Sequence, residues 1–202
     1  MGPMSERPMN IAGILLAAGT ASRFGANKLI QPLEDGAAIA VHAVRNLLAA
    51  IPYVIAVVRW DDIPLYNLLS EEDCIVAKCR DAERGMGASL AYGVARTRDA
   101  DGWVIALADM PRIAPATIRA VAAALAEGAL IARPVYRGTD GHPVGFAAGL
   151  REELLALDGD VGARSVIERH AVELRRIECD DPGVLLDIDR REDLSGVLGA
   201  AR

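Results

Sequence analysis

The sequence predicts an α/β fold of three layers, α/β/α, around a mostly parallel sheet. Three observations lead there. A short apolar run, Ile11–Ala17, stops in a loop of small residues, Ala18, Gly19, Thr20, Ala21 and Ser22, as a buried strand does where a ligand approaches the backbone. Further runs rich in Val, Ile and Ala alternate with segments of helical periodicity as far as Gly128. No repeat, low-complexity linker or shift of composition divides the chain, so a single domain is expected over residues 11–199.

In chain order, residues 1–10 (MGPMSERPMN) read as a flexible tail outside the fold. Residues 39–50 place apolar side chains at helical spacing, with Arg45 and Asn46 on the other face. Tyr53–Val58 is apolar on both faces, as a covered parallel strand must be. A short helix over 61–69, a strand over 75–78, a helix over 87–98 and a buried strand over 103–108 follow. An Ala-rich helix over 115–126 is stopped by Gly128. The rhythm then changes. Residues 129–136 and 143–147 read as two strands around a turn at 138–141, and helices are expected over 150–157 and 163–170. Strands near 172–178 and 184–188 and a last helix over 191–198 complete the reading.

The composition narrows the function. Hydrophobic residues make up 52 % and aromatics only 4 %, so the chain folds around an aliphatic core. A net charge of −6 without a basic block argues against nucleic acid and anionic membrane as partners. No apolar run reaches the roughly 20 residues of a membrane span, and the first ten residues lack the apolar core of a signal peptide. Three cysteines without a CxxC pair read as reduced thiols, and the expected location is the cytoplasm.

The chemistry-bearing residues gather where strands end, because open parallel sheets bind ligands beyond the carboxyl ends of their strands. The loop after the first strand carries Arg23, ends at Gly25 and is followed by Lys28. Small residues free the backbone N–H groups to face an anion, and two fixed cations suit a polyphosphate. Neither GxxxxGK[ST] nor GxGxxG is present. Asp109 follows a buried strand directly and suits Mg²⁺, which takes a few carboxylates together with water and phosphate oxygens; a cap on the next helix is the competing role. Asp187 and Asp189 sit in DIDRREDL, at the end of a short strand, where capping or an edge position also explains them. Gly85-Met86-Gly87-Ala88-Ser89-Leu90 opens a helix and offers backbone and hydroxyl groups to a base, or is simply a loop with a serine in the first turn. His142 is held between Gly141 and Pro143 in RPVYRGTDGHPVGF.

Five of these strings, LLAAGTASRFGANK, GMGASL, LADMP, GHPVGF and GDVGAR, resemble in order the motifs of the MobA-like NTP transferases of the nucleotide-diphospho-sugar transferase superfamily. DIDRREDL resembles that family's closing motif, with Arg190-Arg191 where Thr-Pro is usual, and Ala21-Ser22 departs slightly from the first motif. The resemblance implies a Rossmann-like fold and a nucleotidyltransferase. It gives nucleotide binding to Leu16, Ala17, Ala18, Gly19, Arg23, Lys28, Cys79, Gly85, Met86, Gly87 and Ser89. Catalysis falls to Arg23, Lys28 and Asp109, a Mg²⁺ cofactor to Asp109 and Asp189, and the acceptor to His142, Asp160 and Arg164. The AAG step and GMGASL lean toward CTP over GTP. The implied acceptor is a molybdopterin-type cofactor, whose product would pass to a molybdoenzyme. A sugar-phosphate nucleotidyltransferase, and a nucleotide-sensing or cofactor-holding chaperone for a partner enzyme, remain open beside it.

Overall fold

The computed structural model describes residues 9–19 and 27–189. Four parallel strands form one half of the sheet: β1 (Ile11–Ala17), β2 (Val54–Arg59), β3 (Ile75–Cys79) and β4 (Gly102–Leu107). The other half holds β5 (Ile131–Tyr136), β6 (Thr139–Asp140), β7 (Val144–Ala147) and β8 (Leu174–Glu178). The strand order is β3-β2-β1-β4-β7-β5-β6, with β8 beside β5. β7 runs antiparallel to both β4 and β5, and β8 is parallel to β5. The sheet is therefore mixed, and parallel through the half formed by β1–β4.

Period-two alternation along β1 makes the layers. Leu15 and Ala17 face a core with Ile39, Val44 and Leu47 of α1 (Ile39–Leu48), Leu65 and Leu69 of α2 (Ile63–Leu69), and Ile118, Val121 and Leu125 of α4 (Pro115–Ala126). Ala12, Ile14 and Leu16 face the opposite core, with Leu90 and Val94 of α3 (Met86–Arg96), Leu154 of α5 (Arg151–Leu155) and Val166 of α6 (Arg164–Arg169). A strand buried on both faces needs apolar residues at every position, which is why these segments read as unbroken apolar runs.

Up to residue 178 the expected elements form, with ends moved by about two residues, the usual scatter of element boundaries. Two expectations change. The chain turns back after β5 at Arg137-Gly138, both at positive φ, and Thr139-Asp140 pairs on Val135 and Tyr136 before β7 begins. Residues 184–188 are not a strand. Asp181 accepts hydrogen bonds from Gly183 N at 3.0 Å, and from Ala114 N and Thr117 Oγ1 at 2.9 and 2.7 Å. That carboxylate starts a 3₁₀ turn over Pro182–Leu185 and ties it to the head of α4. Side-chain anchoring, not a ladder, holds this stretch. Asn10, assigned to the tail, is bonded through its N–H to Asp101 and through its side chain to the Asp99 carbonyl. The helix expected over 191–198 lies outside the described residues. Among the described residues no helix is long and apolar enough to cross a membrane.

Candidate active site

Lys28 begins a 3₁₀ turn, Lys28–Ile30, fixed from both sides. The Asn27 carboxamide accepts from Leu29 N at 3.3 Å and donates to Asp62 at 2.6 Å, while Gln31 donates to the Asn27 carbonyl at 3.2 Å. Leu29 is sunk in the core, which draws Lys28 inward until only 8 % of it is exposed. From there its ammonium donates to Asp109 Oδ2 at 3.0 Å and to Asp189 Oδ1 at 3.1 Å. Burial works against the charge on Lys28, but the attraction of Asp109 and the hydrogen bonds from both carboxylates outweigh it and raise the pKa above the ordinary lysine value.

Asp109 stands two residues beyond the end of β4 and accepts Ile188 N on its backbone carbonyl at 2.9 Å. Its carboxylate does not cap α4, whose cap residue is Ala114 and whose leading N–H and Thr117 hydroxyl are served by Asp181. The capping role is thus filled by another acid, and Asp109 is directed to Lys28. Asp187 is solvent-accessible. Partial desolvation of its carboxyl, followed by repulsion from Asp189 and Asp109, raises its pKa above the usual carboxylate value. Among the described residues no group of three His, Cys, Asp or Glu side chains forms a ready-made metal cage.

These side chains open on a cleft of about 390 Å³. Leu16, Ala18 and Gly19 line it from the end of β1, Gly85, Met86 and Ser89 from the head of α3, and Asp160 from the loop before α6. Lys28, Asp109 and Asp189 complete the expected set. Ala17 faces the core, Gly87 is turned from the cleft, and Cys79 is buried beneath it, sharing a hydrogen bond with Ser89. Burial pushes the Cys79 thiol up, so its place is that of a packed neutral thiol. Arg23 lies outside the described residues.

Gly85 and Gly87 serve a purpose different from close approach to a base. Gly85 has φ +116°, and a Cβ there would meet the Gly159 carbonyl carbon and Asp160 Oδ1 at 2.4 and 2.5 Å. A Cβ at Gly87 would meet the Asp158 backbone at 2.8 Å, and Gly87 N donates to the Gly159 carbonyl at 2.8 Å. Arg84 adds an ion pair to Asp158 at 2.6 Å. The two glycines make room for the 158–160 loop, so the segments expected to serve nucleotide and acceptor lie against each other.

A second cavity of about 490 Å³ shares Leu16, Met86 and Leu107 with the first. His142 and Arg164 both line it. Arg164 is exposed and ion-paired with Glu168 at 2.8 Å, one helical turn on. His142, joined to Pro143 by a cis bond, is tied by its N–H to the Val184 carbonyl at 2.9 Å, and its ring Nδ1 is buried with no partner among the described residues. Burial, with Arg133 nearby and against the pull of Asp109, lowers its pKa to about 4, so the ring is neutral at pH 7. Asp160 belongs to the first cavity and is absent from the lining of the second.

Sequence reading passed over Asn27, Leu107 and the pair Arg133–Arg176. Arg176 donates to Asp140 Oδ1 at 2.9 Å, and Arg133 reaches the same carboxylate at 3.4 Å. Asn27 carried a signal, since asparagine is a preferred cap residue and it directly precedes Lys28. The Arg–Asp–Arg cluster joins β5, β6 and β8 and has no local signature.

The sequence profile of the MobA-like NTP transferase domain matches residues 13–174, which takes in Lys28, Asp109, His142 and Arg164 and stops short of Asp189. The purine catabolism protein PucB of Bacillus subtilis is 30 % identical over 94 % of this chain and 97 % of its own. Nicotine blue oxidoreductase of Paenarthrobacter nicotinovorans is 25 % identical over 93 % and 96 %. Among solved structures, Rv0371c of Mycobacterium tuberculosis superposes with a TM-score of 0.81 at 27 % identity over 94 % of this chain and 97 % of its own; a second structure of it is a complex with manganese. A nucleotidyl transferase from Methanothermobacter thermautotroptrophicus gives 0.78 at 25 % identity, covering 94 % and 95 %. With its parallel strands ending on a Lys28–Asp109–Asp189 cluster and this match over most of its length, the chain belongs to the MobA-like NTP transferase family and is a nucleotidyltransferase.

Proposed function

We propose that the protein transfers CMP from CTP to a phosphate-bearing acceptor, of which a molybdopterin-type cofactor fits best, and releases pyrophosphate. The observation that carries this is the convergence of Lys28, Asp109 and Asp189 beside the Ala18-Gly19 backbone at the strand ends. The cytidine preference rests on the AAG step and the GMGASL string.

The residues fit a hard divalent ion. One cationic group, the Lys28 ammonium, already lies within 3.1 Å of both carboxylates, so Asp109 and Asp189 face a common point. Mg²⁺ is suited to such an incomplete oxygen site because it keeps water and phosphate oxygens in its shell. When bound, it would neutralise triphosphate charge and favour departure of pyrophosphate. Support comes from the manganese complex of Rv0371c.

The chain's own residues do the rest by positioning and charge. Ala18 and Gly19 offer an open backbone to the phosphates. Lys28, with Arg23 from the same loop, holds negative charge at the phosphorus under attack. Met86 and Ser89 flank the base and ribose. Arg164 takes the acceptor phosphate, and His142 offers its neutral ring to the acceptor, which attacks the α-phosphorus in line. No covalent protein intermediate is required.

The relative named as an oxidoreductase supports a second reading, in which the same cleft serves a redox reaction. One assay separates them: the protein with each of four NTPs, Mg²⁺ and molybdopterin, followed by pyrophosphate release and mass spectrometry of the product. CTP-dependent pyrophosphate release that requires the acceptor, with formation of the dinucleotide, is expected. Absence of pyrophosphate with every nucleotide would overturn the transferase reading for this acceptor.

A further inference from the structure

We infer that Lys28 is the resident counter-ion of the Asp109–Asp189 pair, and that it admits a divalent ion only as nucleotide phosphates draw its ammonium away. The inference rests on the proposed triphosphate role of this cleft and concerns the order in which the site loads.

The ammonium donates to both carboxylates at once, at 3.0 and 3.1 Å, from a side chain shielded from water. A position between two carboxylates cannot hold an ammonium and a divalent ion together. The ammonium is held by two carboxylates at once and does not leave them unprompted. Nor does its backbone retreat, because Asn27 caps the turn and Leu29 is locked in the core. What remains is rotation of the side chain into the cleft that it already lines.

A metal ion arriving alone must expel Lys28 from two charged partners and brings no anion to receive it, which opposes binding. A metal ion arriving with a triphosphate exchanges partners: the carboxylates take the metal and the phosphates take Lys28. Every charge stays paired, so metal and nucleotide favour each other's binding, and the coupling is reciprocal. If the arrangement with Lys28 on the carboxylates is populated nine-tenths of the time or more, it weakens metal binding by about tenfold or more.

The test is Mn²⁺ binding to the full chain, read by the electron paramagnetic resonance signal of free Mn²⁺, with and without the α,β-methylene analogues of CTP and GTP. Wild type should bind Mn²⁺ alone weakly and gain about tenfold or more with an analogue. Lys28→Met should bind Mn²⁺ alone at least about tenfold more tightly than wild type and lose most of the gain from nucleotide. Equal affinity of the two proteins for Mn²⁺ alone overturns the inference. So does wild-type affinity that nucleotide leaves unchanged, a result that needs no variant and stands even if Lys28→Met fails to fold. Pyrophosphate release by wild type is scored separately. Its presence alongside equal Mn²⁺ affinities removes only this role of Lys28, whereas its absence strikes at the transferase reading.

Discussion

On one side of Met86, Lys28 pairs with Asp109 and Asp189; on the other, a buried His142 ring nitrogen has no partner among the described residues and Arg164 stands exposed. Both cavities are walled by the same strand end and share Leu16, Met86 and Leu107. They differ in where their charges are anchored. Lys28 lies on a capped turn and Asp109 just beyond a strand end, each braced by a core neighbour, Leu29 and Met110, so the backbone that carries them is fixed before a ligand arrives. Arg164 is exposed and pairs with Glu168 on its own helix, an anchor that leaves its guanidinium adjustable. A site with charges on a braced backbone at one side and on an exposed helix at the other suits an enzyme whose first substrate is common to its family and whose second is not.

The largest effect that would break this contrast is at Asp109. Asp109→Asn keeps the shape, removes one of the two acids shared by Lys28, and is expected to lower kcat for pyrophosphate release by ~10²–10³. A near-normal rate would mean that the braced side is not where the chemistry occurs.

The next test concerns the His142 side and uses pH. The folded pKa of about 4 lies below the ordinary 6.5, so between these values the unfolded chain binds a proton that the folded chain refuses. Stability therefore falls as pH drops from 6.5 toward 4, by at most about 3 kcal/mol from this group, less where water reaches the ring. In urea unfolding at pH 7 and pH 5, His142→Asn should show the weaker pH dependence of the two proteins. Equal slopes would place the ring in water.

The smallest effect sharpens the contrast. Arg164→Ala should leave melting temperature and KM for the nucleotide unchanged and raise KM for the acceptor about tenfold, a loss of uniform binding. A matching rise in KM for the nucleotide would assign Arg164 to the first cavity.

The legibility of these regions in the sequence follows their physics. Strands buried on both faces must be apolar at each position, so β1, β2 and β4 stand out as runs. Asp109 and the Ala18-Gly19 step were visible because they follow those runs, and Lys28 because it is a lone lysine after the loop that the first run enters. The end of the chain was harder. The Val184–Ile188 segment has the composition of a strand, yet Asp181 captures it with hydrogen bonds to residues 67 and 64 positions away, a pairing invisible to local pattern. The same carboxylate answers the capping question for Asp109, which spacing alone left open. Cys79 and Ala17 were placed at the nucleotide by motif position, whereas strand alternation turns both into the core. The charge cluster at Asp140 depends on three strands meeting and could be found only after folding.

The interlocking of Gly85 and Gly87 with residues 158–160 bears on how such a protein diversifies. The later segment cannot be remodelled in isolation, since any bulkier or repositioned backbone there would press on the head of α3, whose next residues line the cleft. Chimeras that exchange the 158–162 stretch between relatives would have to carry residues 84–87 with it, because the two short segments are fitted to each other despite standing more than seventy residues apart.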